Sequence, residues 1–98
     1  MIPLAAPNLD GNEKKYLDHC IETTFVSSVG EYVTEFENRI AESTGAKEAV
    51  ATSAGTTGLH AALTAVGVKY GDLVILPTFT FIASANAAAH CGATPWCM

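Results

Sequence analysis

The segment Ser53-Ala54-Gly55-Thr56-Thr57-Gly58 has residue types and an order that suit anion chemistry. It joins a short apolar run to a helical pattern, so Gly55 and the two residues after it fall where the unpaired N–H groups of a helix N-terminus point outward. That geometry binds anions, phosphate above all. Glycine permits close approach, and the Ser and Thr hydroxyls can add hydrogen bonds. The same residues are also ordinary helix caps, so the loop alone supports both readings. No Lys follows at P-loop spacing, which excludes a P-loop nucleotidase, and the dinucleotide fingerprint Gly-x-Gly-x-x-Gly is absent.

A second group, Pro77-Thr78-Phe79-Thr80-Phe81, closes another apolar run. If that run is a strand, the group lies at the carboxyl edge of a sheet, where ligands of open α/β folds sit. Either Phe ring alone is more readily explained by filling a core. Two aromatics and two hydroxyls beside a phosphate-type loop shift the balance toward a ligand with both a planar ring and a phosphate.

Other reactive side chains form weaker patterns. His19, His60 and His90 belong to separate helical segments, and His90-Cys91 with Cys97 nearby falls short of a metal-ligand spacing, so no metal is expected. His60 reads as a partly exposed structural histidine and Trp96 as core or interface. Glu31, Glu35, Glu37 and Glu42 decorate one helix and read as its solvated face.

The elements that would position these groups follow from periodicity. Pro3 and Pro7 keep the opening nine residues extended. Asp10, with Glu13 three positions later, predicts a helix start, and Leu17, Cys20, Ile21 and Thr24 recur at helical spacing. Ser27 to Gly30 breaks that helix. Val29, Val33, Phe36 and Ile40 mark the buried stripe of a second, ended by Gly45. Glu48 to Thr52 is expected to be a first strand, and Leu59, Ala62, Leu63 and Val66 stripe a third helix. Leu73-Val74-Ile75-Leu76, stopped by Pro77, reads as a parallel strand buried on both faces. A fourth helix from about Thr80 to His90 is so rich in Ala and Ser that another backbone must pack closely on it. After Gly92, Thr94 to Met98 starts a third strand. The fold class is therefore α/β: a partial parallel sheet in the order β-α-β-α-β, preceded by two helices.

Length and composition bound the function. Ninety-eight residues with 49% hydrophobic side chains make at most one domain. A net charge of −5 leaves no basic face for nucleic acid. Three cysteines make a poor disulfide framework, no apolar run nears the roughly 18 residues of a membrane span, and the N-terminus lacks a signal-peptide pattern. A cytoplasmic protein without membrane attachment is expected. A three-stranded sheet with two open edges normally continues, so residues 1–98 read as the N-terminal part of a larger domain.

Taken together the motifs resemble one family. Ile2-Pro3-Leu4-Ala5, Phe25-Val26-Ser27-Ser28-Val29-Gly30 leading into Val33-Thr34-Glu35-Phe36-Glu37, Gly45-Ala46-Lys47, Ala49 to Ser53, Gly55-Thr56 with Leu59-His60, Pro77 to Phe81 and Gly92-Ala93-Thr94-Pro95 stand in the order seen in the DegT/StrS-type sugar aminotransferases. The resemblance covers essentially the whole chain. It implies the large domain of a fold-type I transferase dependent on pyridoxal 5′-phosphate (PLP). The implied reaction moves an amino group, usually from glutamate, onto a keto sugar attached to a nucleotide, in a homodimer. By the same resemblance Gly55, Thr56 and the Thr57 amide grip the cofactor phosphate, and Phe81 stacks on its pyridine ring. The opening Asn8 to Glu13 is most similar to enzymes making amino sugars for bacterial surface glycans.

The resemblance also implies a lysine that bonds the cofactor and an aspartate at the pyridine nitrogen, both beyond residue 98. Lys14, Lys15, Lys47, Lys69 and Asp72 match neither position, so no catalytic residue is assigned and the chain is expected to be inactive alone. Ala54 and Gly58 stand where the family often has Ser and Ala, and Trp96-Cys97-Met98 departs further. The alternative is a non-catalytic module that binds a phosphate ligand or a partner chain through its open sheet edges.

Overall fold

Glycine and proline punctuate the chain at the points where its elements begin and end. The computed structural model describes residues 5–98; Ile2, Pro3 and Leu4, quoted above, lie outside them. The elements run in the order α1 (Glu13–Glu22), α2 (Glu31–Thr44), α3 (Gly55–Ala65), β1 (Leu73–Leu76), α4 (Ile82–His90) and β2 (Thr94–Cys97). They fall into two compact units, Met1–Glu48 and Ala49–Met98.

In the first unit Asn12, not Asp10, precedes α1 as its N-cap, and neither contributes a side-chain cap. The Asp10 N–H donates to Asn8 Oδ1 at 2.9 Å, a local Asx bond ahead of the helix. Gly30 starts α2 at φ 156°, and a Cβ there would lie 2.8 Å from the Phe25 ring, so only glycine lets that ring close over the turn. Gly45 ends α2 in the left-handed conformation expected of it. Neither helix buries a residue, and of the predicted stripe Val33 is half-buried while Val29, Phe36 and Ile40 are exposed, Phe36 by 56%.

The second unit holds the sheet. β1 and β2 pair in parallel, with Leu73 opposite Thr94 and Ile75 opposite Trp96. The crossover between them is α4, whose Ala87 and Ala88 are fully buried, as its small-residue composition predicts. Helix α4 packs on α3 and on both strands. Gly92 turns the chain into β2 at φ 76°, and a Cβ there would stand 3.2 Å from the Tyr70 backbone. The buried set among the described residues is Leu76, Ala87, Ala88 and Ala93.

The α/β class with a parallel sheet holds, but one predicted strand does not. Among the described residues the sheet has two strands, and Glu48 to Thr52 belongs to neither. A strand exists through its ladder, and a short apolar run carries no information about whether a neighbour is present to pair with it. Val50, at the centre of that run, is 82% exposed.

Candidate functional site

Helix α3 starts one residue after Ala54, an extended N-cap at φ −161° and ψ 160°. The first intrahelical bond is the Gly58 N–H to the Ala54 carbonyl, 3.0 Å. The amides of Gly55, Thr56 and Thr57 precede it and have no acceptor within the helix. Thr57 closes the turn: its Oγ1 accepts the Ala54 N–H at 3.1 Å and donates to the Ala54 carbonyl at 2.7 Å. Alanine offers no side-chain acceptor in return, so this is half of a capping box. Ser53 Oγ sits 3.4 Å from the same hydroxyl. An ideal Cβ on Gly55 meets nothing within 4 Å, so the space beside this peptide is open.

Gly58 has a packing role. Its absent Cβ would stand 3.1 Å from Thr52 Oγ1, and that hydroxyl donates to the Ala54 carbonyl at 3.2 Å. The glycine lets the approach segment lie against the first turn of α3.

The aromatic group follows β1. The Thr78 N–H donates to the Met98 carbonyl at 2.8 Å, extending the parallel ladder to the carboxyl edge. Phe81 is the N-cap of α4, at φ −66° and ψ 145°, with its carbonyl accepting from the Ser84 N–H at 3.1 Å. Thr80 Oγ1 and Ser84 Oγ pair at 3.2 Å across this first turn. Phe81 is 83% exposed and Phe79 wholly so, so neither ring is buried among the described residues. Gly55, Thr56, Thr57 and Phe81 thus stand at the starts of α3 and α4, two helices packed on one another.

The remaining candidates have local roles. His60 and His90 pair across α3 and α4 with ring centroids 5.5 Å apart. Among the described residues no three or more His, Cys, Asp or Glu side chains gather to hold a metal ion. Asp72 Oδ2 accepts the Lys69 N–H at 2.9 Å, so both residues serve the turn before β1.

Sequence reasoning missed one cluster. His19 Nδ1 lies 2.9 Å from Tyr32 Oη and 3.3 Å from Glu31 Oε1, and Tyr16 meets Tyr32 edge to face at 5.0 Å. Half-buried Tyr32 is raised above the ordinary phenol value near 10, first by desolvation and then by the Glu31 carboxylate. A cavity of about 370 Å³ beside it is lined by Tyr16, Leu17, Tyr32 and Phe36, together with the Glu35–Arg39 ion pair. The cluster joins residues on two helices across a loop, so no periodicity announces it.

Residues 7–98 match the model of the DegT/DnrJ/EryC1/StrS aminotransferase family. The chain is 53% identical over 94 residues to the GDP-perosamine synthase of Caulobacter vibrioides, which spans 96% of this chain and 25% of that protein. The aminotransferase from Psychrobacter cryohalolentis superposes with a TM-score of 0.82 at 32% identity, over 97% of this chain and 25% of the other. A sugar aminotransferase structure from Streptococcus pneumoniae in its PLP form superposes with a TM-score of 0.77 at 28% identity, over 99% of this chain and 24% of that one. The chain therefore spans about a quarter of the length of the curated relatives it matches. No helix among the described residues is long and apolar enough to cross a membrane.

Proposed function

The chain belongs to the DegT/DnrJ/EryC1/StrS aminotransferase family, and from that premise we propose that it forms the cofactor-holding quarter of a PLP-dependent sugar aminotransferase. The observation that carries this reading is the start of α3, where three outward amides stand beside the open Gly55. A phosphate dianion accepts hydrogen bonds from the Gly55, Thr56 and Thr57 amides and is further favoured by the positive end of the helix dipole. The Thr57 hydroxyl is already engaged by Ala54, so Thr57 contributes its amide and keeps the turn in shape. Phe81 offers a free ring face at the start of α4, and stacking on a planar heteroaromatic is worth about 0.5–1.5 kcal/mol.

PLP, when bound, supplies the electron sink that lets an amino group pass between an amino acid and a keto compound. The residues of this chain bind and orient the group. Transamination further requires a lysine amine at the reacting carbon and a carboxylate at the pyridine nitrogen, and the site described here includes neither. Residues 1–98 alone therefore turn over no substrate. In the intact enzyme, a cytoplasmic homodimer in this reading, glutamate is the amino donor and a nucleotide-linked keto sugar the acceptor. The names of the relatives, GDP-perosamine synthases at 53%, 50% and 48% identity, favour GDP as that nucleotide and an amino sugar of surface glycans as the product.

A chimera in which residues 1–98 replace the matching quarter of the Caulobacter relative tests the reading. It should retain PLP and transfer the amino group of glutamate. Gly55→Glu, which sets a carboxylate against the phosphate, should abolish PLP retention while leaving the chimera folded. A folded chimera without affinity for PLP overturns the proposal.

A further inference from the structure

The contact between α3 and α4 brings two imidazoles together that sequence spacing keeps far apart. His60 lies in the middle of α3 and is half-buried, and His90 is the last residue of α4 and is exposed. Their ring centroids are 5.5 Å apart with the planes tilted by 38°. That tilt is neither the offset stack nor the edge-to-face contact that aromatic rings prefer. Among the described residues no hydrogen bond or ion pair engages either ring, in contrast to His19, whose Nδ1 is held by Tyr32 and Glu31. The two rings therefore face one another with their nitrogens uncommitted.

The separation suits a shared metal ion. With metal–nitrogen bonds of about 2.0–2.1 Å and ring centres about 1.1 Å beyond the nitrogens, two imidazoles on one tetrahedral ion stand roughly 5.2 Å apart, and on adjacent corners of an octahedron roughly 4.5 Å. The observed 5.5 Å is close to the first value and wide of the second. A bound imidazole turns about its metal–nitrogen bond, so the tilt is compatible with either ring as a ligand. The frame beneath the pair is firm: α3 packs on α4, and Ala87 and Ala88, just before His90, are fully buried. One turn beyond His60, Thr64 Oγ1 lies 3.8 Å from Cys91 Sγ, a second contact between the same two segments that occupies the thiol.

We propose that His60 and His90 form a two-imidazole site for a divalent transition-metal ion of the zinc type, which clips α3 to α4. Imidazole suits such ions, and the tetrahedral spacing favours zinc over metals that require an octahedral shell. Among the described residues no cluster of three or more His, Cys, Asp or Glu side chains supplies a closed structural site, so water fills the remaining positions and the ion exchanges readily. The net charge of −5 favours a cation over an anion at this surface. Counting ligands along one segment of sequence cannot find the pair, because its members come from different helices.

Zinc chloride titrated into the untagged 98-residue chain, with the histidine rings isotope-labelled and followed by NMR, tests the proposal. The ring signals of His60 and His90 should shift together and saturate at one equivalent, while those of His19 stay in place. His60→Ala and His90→Ala should each weaken zinc binding at least about tenfold, because a chelate becomes a single imidazole. His60→Phe, which keeps the bulk of a ring and removes its nitrogens, should lose as much as His60→Ala; a smaller loss would assign the effect to packing and overturn the proposal. Cys91→Ser should leave the affinity unchanged, and a fall equal to that of the histidine variants would make the thiolate a ligand and overturn the two-imidazole site. The titration is repeated in the chimera freed of PLP, whose phosphate also binds cations, and that result decides if the two differ. Shifts at one ring only, or binding that survives both histidine substitutions, overturn the proposal.

Discussion

Thr57 secures the first turn of α3 by taking the Ala54 N–H and donating to the Ala54 carbonyl. Thr57→Ala should cost about 1 kcal/mol of local stability, the usual worth of a helix cap. Amide exchange at Ala54 and Gly58, the bonded amides of this turn, should accelerate accordingly and recover in Thr57→Ser. Gly58 is opposed by its neighbour: helix propensity alone favours Ala by up to about 1 kcal/mol, but the new methyl would press on Thr52 Oγ1. Gly58→Ala should gain less than that amount, with the remainder recovered in a Thr52→Ala background, a coupling that a double-mutant cycle of denaturation measures. In the chimera, Phe81→Ala should weaken PLP binding about 2- to 10-fold. Gly55, Thr56 and Phe81 could be singled out from the sequence because capping residues and strand ends have recognisable chemistry. The engagement of the Thr57 hydroxyl could not, because it depends on the rotamer the turn selects.

Between elements, α1 and α2 meet through side chains, and neither buries a residue. Tyr32 lies at the centre of that contact, with Tyr16 and His19 against its ring. Its phenol is raised above the ordinary value near 10. The folded form thus holds the phenolic proton more tightly than the unfolded chain does. Stability from Tyr32 is whole below pH 10 and is lost as pH climbs through the raised folded value. Absorbance titration of the phenolate in the wild type and in Tyr32→Phe should show one phenol titrating late, and the variant should lack that part of the alkaline loss. The helices themselves could be read from three- and four-residue spacing, and β1 from a continuous apolar run stopped by Pro77. Glu48 to Thr52 misled because strand formation is a property of two segments. A stripe such as Val29, Val33, Phe36 and Ile40 likewise marks the face a helix is built to bury, without saying that the cover is at hand.

For the molecule as a whole, Leu76, Ala87, Ala88 and Ala93 are a very small core among the described residues. Apolar surface left in water contributes nothing to folding, and short chains already have little margin. The 98-residue chain alone should bind a hydrophobic dye such as ANS and unfold by heat without a sharp calorimetric transition. The chimera that carries residues 1–98 should bind no dye and unfold cooperatively. A sharp transition in the isolated chain would show that its exposed faces find cover without a partner.

The three amides at the start of α3 belong to the main chain. Replacing the side chains of Thr56 or Thr57 leaves the N–H groups in place, so phosphate affinity should prove robust to mutational drift as long as the helix starts where it does. Proline or an inserted residue is the damaging change, because either alters the backbone itself. A lineage descended from this chain could shed its chemistry and still keep its grip on phosphate.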